Sequence, residues 1–254
     1  MRFLIQKIDN KVVHDFSFTL LEAVRYQQWA QNDPKAVTVK YINSGVDDKT
    51  FYFKPHHEHY VPVGSVEFVT SWFKRFYDHT PKPINVPESL FEFGDRSIFN
   101  GTEKNIPKNG YYFVKSNDQI KRTPQLLNCD TRDGIFFPTG NYQFSEHIDI
   151  ESEWRCFVYQ GKLVGLQNYS GDFTMFPDVN QIQTMIKAYK STPIAYTLDV
   201  GVKPVLEVDG SFFNKTFVVE IHDFFSCGLY KFSDHKIYPH MLYRWYHEYL
   251  NKIR

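Results

Sequence analysis

The chain has 254 residues, enough for one large domain or roughly two to three small lobes with a sizeable core. Lys+Arg and Asp+Glu both number 29, so the formal net charge is zero, and this balance points to neither nucleic acid nor an acidic membrane surface as partner. Aromatic residues make up 18%, with 24 Phe and 17 Tyr, which suits a β-rich interior better than a base-stacking surface.

Phe3 to Ile8 reads as a first strand, Leu20 to Gln31 as a helix stopped by Asp33-Pro34, and Val37 to Ile42 as an alternating strand. Phe51-Tyr52-Phe53 is a further strand candidate. Ser65 is placed to cap a helix on which Phe68, Trp72 and Phe76 recur at i, i+4, i+8. Pro81, Pro83 and Pro87 then mark a connector between an N-terminal lobe, residues 1–90, and the rest. Tyr111 to Lys115 is a strand ending in a lysine, followed by a polar loop that holds Lys121. Gly134 to Phe137 and Tyr142 to Ile148 read as strands. Glu153 to Tyr159 and Leu163 to Gln167 form a hairpin turning at Gln160-Gly161. Ile182, Met185, Ile186 and Tyr189 mark an amphipathic helix. Two strands follow, Ile194 to Val200 and Thr216 to Asp223, with a polar excursion around Asp209-Gly210 between them. Leu242, Trp245, Tyr249 and Ile253 lie on a closing helix.

The three cysteines, Cys129, Cys156 and Cys227, fit neither a zinc site nor a disulfide framework and suggest a reducing compartment. Met1 to Lys7 is too soon interrupted for a signal peptide, and no apolar run approaches the roughly 20 residues that span a bilayer. A soluble cytoplasmic protein is expected.

The chemistry lies in the last two strands. Each carries an acid at its centre, Asp199 and Glu220, and unpaired carboxylates on buried strands are costly. Alternation puts Glu220 and His222 on one face. Two carboxylates suit a hard cation such as Mg²⁺, with His222 or Asp223 as a third ligand; acids on exposed strand faces explain the pattern equally well. Glu153, Arg155 and Phe157 share a face, where Arg155 can fork onto a phosphate or pair with Glu153 in solvent. Lys115 and Lys121 are placed to reach one phosphate chain, although no Walker A pattern occurs. His56-His57-Glu58-His59 lacks zincin spacing and reads as an exposed loop.

In order, Phe113-Val114-Lys115, Glu153-Trp154-Arg155 with its strand, Ala195 to Val200 and Val218 to Asp223 resemble the ATP-grasp superfamily over about residues 60–232. The chain is most similar to a clade found in bacteria and their phages, by Gly64 to Phe68 and by Arg96 in Gly94-Asp95-Arg96. The resemblance implies an α+β ATP-grasp fold, two lobes clasping ATP, behind an N-terminal α/β lobe. The central lobe would be residues 91–142 and the C-terminal lobe residues 143–254. Lys115 and Lys121 would hold phosphates. The segment Gln143-Phe144-Ser145-Glu146 would be the hinge, its backbone meeting adenine and its acid the ribose, and Glu153 belongs with the nucleotide residues. Asp199 and Glu220 would bind Mg²⁺ or Mn²⁺, and Arg155 and Arg96 would meet the transferred phosphate or substrate. His222 stands where the family pattern has asparagine. The implied activity is ATP-dependent ligation of a carboxylate to an amine or thiol through an acyl phosphate, on an amino acid, peptide or protein. A non-catalytic nucleotide-binding module and a phosphotransferase are the alternatives. The implied compartment is the cytoplasm, that of the host if the gene is carried by a phage.

Overall fold

A computed structural model describes residues 1–44, 51–120, 125–131 and 137–254. In chain order they form β1 (Arg2–Ile8), α1 (Asp15–Ala30), β2 (Thr38–Ser44), β3 (Val61–Val63), α2 (Val66–Tyr77), β4 (Ile98–Thr102), β5 (Tyr111–Ser116), β6 (Gln125–Asn128), β7 (Asn141–Glu146), β8 (Ser152–Tyr159), β9 (Lys162–Gly171), α3 (Val179–Ala188), β10 (Ala195–Leu206), β11 (Phe212–Asp223) and α4 (Tyr238–Ile253). No helix among the described residues is long and apolar enough to cross a membrane.

Two compact units emerge. The first holds Met1–Pro81, Pro193–Tyr196 and Asp223–Arg254. Its sheet has the order β2-β1-β3, and β1 is parallel to both neighbours. Phe3, Leu4 and Ile5 are all fully buried, the continuous apolar run expected of a parallel strand covered on both faces. Ser65 caps α2 by accepting from Phe68 N at 3.2 Å, and α2 ends at Asp78 in the left-handed region. Trp72 and Phe73 on α2 pack edge-on against Tyr246, Trp245 and Tyr249 of α4. Much of the aromatic content is therefore core.

The second unit holds Lys82–Thr192 and Thr197–His222. It contains two four-stranded sheets, ordered β4-β7-β5-β6 and β11-β10-β8-β9. In the first, every strand pairs antiparallel, and Val114, Leu127, Cys129, Phe137, Tyr142 and Phe144 form its core. In the second, β8 and β9 are joined by a two-residue turn. Gln160 and Gly161 both have positive φ, 51° and 70°, as a type I′ turn requires. Asn85 links the two sheets. Its carbonyl accepts from Ile221 N of β11, while its side chain donates to Ser116 O of β5.

Several local expectations differ from the structure. Phe51–Phe53 forms no strand. Helix α1 begins at Asp15, five residues before Leu20, because Phe16 extends its buried apolar face by one turn. His56-His57-Glu58-His59 is one 3₁₀ turn rather than an exposed loop, with His57 buried and accepting from Lys54 N. Strands β4 and β6 carry no alternation strong enough to be read. The strand expected over Gly134–Phe137 lies, apart from Phe137, outside the described residues, as does Lys121.

Candidate functional site

The centre of the second unit is a buried ion pair. On β8, alternation turns Arg155 to the face that Asp199 occupies on the adjacent β10. Arg155 Nε donates to Asp199 Oδ1 at 2.8 Å and Nη2 to Oδ2 at 2.7 Å, a bidentate fork. The two side chains are only 8% and 4% exposed. The Arg155 guanidinium also stands 5.7 Å from the centre of the Tyr169 ring. Tyr169 in turn donates to Glu153 Oε2 at 2.7 Å. Burial, with Asp199 and Glu153 beside it, raises the Tyr169 phenol far above its ordinary range, so it remains a donor.

Tyr169 owes its position to a β-bulge. The turn pairs Tyr159 with Lys162, and an even register would bring Asn168 opposite Glu153. Irregularities beside Phe157/Val158 and Glu153/Trp154 insert two extra residues into β9, so Glu153 faces Ser170 and Trp154 faces Asn168. Tyr169 is the extra residue of the second bulge, and bulges re-aim side chains in this way.

A second ion pair joins the two sheets. Lys115 Nζ on β5 donates to Glu220 Oε2 on β11 at 2.5 Å, with the side chains 21% and 20% exposed. His222 shares the face of Glu220, and its Nε2 lies 3.4 Å from Glu220 Oε2 and 3.8 Å from Asp199 Oδ2. Burial alone would raise the Glu220 carboxyl, but the neighbouring His222 and Lys115 outweigh it and hold the group well below the usual carboxylate range.

Beside these pairs lies a cavity of about 260 Å³, just under the ~300–1,000 Å³ of typical small-molecule sites. Val86, Phe113, Ile148, Ile150 and Val219 supply apolar walls; Lys115, Glu153, Tyr169, Glu220, Glu146 and Arg96 supply polar groups.

Arg96 lines this cavity, yet four of its N–H donors go to protein oxygens. Nε donates to Ser145 Oγ, Nη1 to Gly94 O and Val218 O, and Nη2 to Val219 O at 3.3 Å. It holds β11 against β7. Burial pushes its guanidinium down to about 10, partly offset by Asp95.

The backbone expected to meet adenine is not free at Gln143 and Phe144, although Gln143 lines the cavity. Strand β7 is an inner strand, so the backbone around Gln143 and Phe144 is paired with β4 on one side and β5 on the other. The Gln143 amide is exchanged with Val86, accepting from its N and donating to its O. The Phe144 ring is fully buried and stacks on Phe99. The residues beyond β7 that do face the cavity are Ile148 and Ile150. Glu146 lines it too, accepting from Ser97 N.

The metal expectation also loses a member. Asp223 is an odd number of residues from Glu220 and His222, so alternation takes it to the other face, where its Oδ1 accepts from Trp245 Nε1 at 3.0 Å. Asp199 and Glu220 remain as hard oxygen donors whose chemistry fits Mg²⁺. Both oxygens of Asp199 are, however, held by Arg155, and Glu220 Oε2 by Lys115. Among the described residues no group of three or more His, Cys, Asp or Glu is arranged to hold a metal ion. Tyr169 and Asn85 are not singled out by the sequence. The Gln160-Gly161 turn hinted at Tyr169 but misplaced it by the bulges.

Residues 93–239 match the family model described as ATP-grasp domain, R2K clade family 2. No curated protein matches the chain. Among solved structures, similarity is found to a D-alanine–D-alanine ligase from Bacillus anthracis, at 11% identity and TM-score 0.48, covering 100% of this chain and 98% of that one. An N5-carboxyaminoimidazole ribonucleotide synthetase from Thermotoga maritima aligns at 10% identity and TM-score 0.45, covering 96% and 75%. The macrocyclase MdnC bound with precursor peptide MdnA, from Microcystis aeruginosa, aligns at 10% identity and TM-score 0.42, covering 96% and 100%.

Proposed function

The chain belongs to the ATP-grasp domain family, R2K clade family 2, and from that premise we propose that it is an ATP-dependent ligase joining a carboxylate to an amine or thiol through an acyl phosphate. The observation that supports this reading is the cavity in which the apolar walls meet Lys115, Glu220, Glu153 and Tyr169. Adenine would lie between Phe113, Ile148, Ile150 and Val219, with the stretch after β7, rather than β7 itself, along its edge. Glu146 or Glu153 would meet the ribose. Lys115 and Arg155 would neutralise the phosphates and hold them in line for attack, which is most of what phosphoryl transfer asks of a protein. Asp199 and Glu220 would hold Mg²⁺, with His222 beside them; when bound, the ion supplies charge compensation to the β- and γ-phosphates. Arg96 would act by keeping β11 in place. No protein nucleophile is required, in keeping with three cysteines that are all buried. The substrates would be a carboxylate, activated as its acyl phosphate, and an amine or thiol acceptor, on an amino acid, peptide or protein.

The test is ADP release by the purified chain, with Mg²⁺ and ATP, across a panel of amino acids and peptides. Amide or thioester product with stoichiometric ADP supports ligation. A phosphorylated product would identify a phosphotransferase, and the absence of nucleotide binding would remove the reading altogether.

A further inference from the structure

We infer that the Lys115–Glu220 and Arg155–Asp199 pairs form a counter-ion exchange latch, through which a triphosphate and a divalent cation bind with strong positive coupling and each binds weakly alone. The inference rests on the ATP reading above and goes beyond it, because it concerns how the protein's own charges regulate entry to that site.

The protein's cations neutralise its own acids. Lys115 Nζ lies 2.5 Å from Glu220, and Arg155 grips both oxygens of Asp199 at 2.7–2.8 Å. A phosphate chain arriving alone must draw Lys115 away from Glu220, which leaves a half-buried carboxylate with only His222 beside it and facing more negative charge. A divalent cation arriving alone must displace an ammonium or a bidentate guanidinium, which leaves a positive group unpaired. Removing one partner of such a pair costs far more than exchanging both. When both arrive, Lys115 and Arg155 pass to phosphate oxygens and the carboxylates pass to the cation, so no charge is stranded. The coupling is reciprocal by thermodynamic necessity.

The two pairs are not equivalent. Lys115 and Glu220 are 21% and 20% exposed and line the cavity, whereas Arg155 and Asp199 are 8% and 4% exposed, with the guanidinium over the Tyr169 ring. Lys115–Glu220 is therefore the pair that opens first. His222 Nε2, at 3.4 Å and 3.8 Å from the two acids, stands ready as a replacement partner on their side of the exchange.

The experiment reads affinity rather than turnover. Binding of the non-hydrolysable analogue AMP-PNP to the full chain is followed by calorimetry with EDTA and with Mg²⁺. Binding of Mn²⁺ alone is followed by the loss of its free-ion paramagnetic resonance signal. In the wild type, Mg²⁺ should strengthen AMP-PNP binding by about 10-fold or more, within the usual range of coupling between sites. Glu220→Gln should bind AMP-PNP in EDTA about 5-fold more tightly than wild type, because Lys115 is released. That gain should vanish in the Lys115→Met, Glu220→Gln double variant, whereas simple repulsion by Glu220 would leave it intact. In the reciprocal arm, Lys115→Met should bind Mn²⁺ alone about 5-fold more tightly, because Glu220 is released. This second arm does not depend on the folding of Glu220→Gln. A wild type that binds no AMP-PNP even with Mg²⁺ overturns the ATP reading and the latch with it. A wild type that binds, with no gain in either single variant or with a gain that survives in the double variant, overturns the latch alone.

Discussion

Replacing Asp199 by asparagine should destabilise the second unit severely, and replacing both members of its ion pair should not. Asp199 accepts two hydrogen bonds from Arg155, and both side chains are almost wholly buried, so solvent does little to screen them. Asp199→Asn strands a buried guanidinium, a change that typically costs about 3–5 kcal/mol. That is a large fraction of the roughly 5–15 kcal/mol that holds a domain folded. With a urea dependence of about 2–3 kcal/mol per molar, the midpoint should fall by about 1–2 M. Hydrogen exchange at the amides of β8 and β10 assigns the loss to the unit that holds the pair. The double variant Arg155→Met, Asp199→Leu removes both charges and keeps apolar volume, so its midpoint should lie within about 0.5 M of wild type or above it. If Asp199→Asn loses less than about 1 kcal/mol, the value of an exposed pair, the burial argument fails. If the double variant is as unstable as the single one, packing rather than charge explains the loss. Either stable variant should fail to release ADP, since the reading places Arg155 at the phosphates and Asp199 at the cation.

Other expectations follow from the same geometry. Lys115→Ala should weaken AMP-PNP binding with Mg²⁺ by at least about 10-fold in calorimetry, and unchanged affinity would displace Lys115 from the phosphate role. The Glu220 carboxyl is held below its ordinary value of 4.5, so its stabilising contribution is present above that pH and lost as pH falls below it. The urea midpoint of Glu220→Gln should consequently fall less steeply than that of wild type below about pH 4.5, and parallel acid limbs would contradict the shift. Gly161→Val, at φ 70°, should cost about 1–2 kcal/mol by strain in the hairpin turn. Ser65→Ala should lower the stability of the first unit by about 1 kcal/mol through loss of the α2 cap, read as a shift in thermal midpoint with AMP-PNP affinity unchanged.

The elements legible in the sequence are those whose signal is local. Alternation and turn chemistry identify β8 and β9 with the Gln160-Gly161 turn, and helical spacing with Ser65 identifies α2. The order of Lys115, Glu153-Trp154-Arg155, Asp199 and Glu220 was enough for the ATP-grasp resemblance, and the family match bears that out. The short strands β4 and β6 escaped because about four or five residues with mixed polarity carry too little periodicity.

What the sequence determined alone is which chemical groups stand on which strand faces, because alternation is a property of the local backbone. Only the tertiary structure decided their partners. Arg155 meets Asp199 across 44 residues and Lys115 meets Glu220 across 105, and those meetings depend on strand order, not on spacing along the chain. The same holds for β7. Gln143 and Phe144 look available in a linear reading, but a strand paired on both sides has no free backbone to offer. Tyr169 reaches Glu153 because bulges shift the register of β9, an adjustment set by packing across the sheet rather than by the turn that begins it.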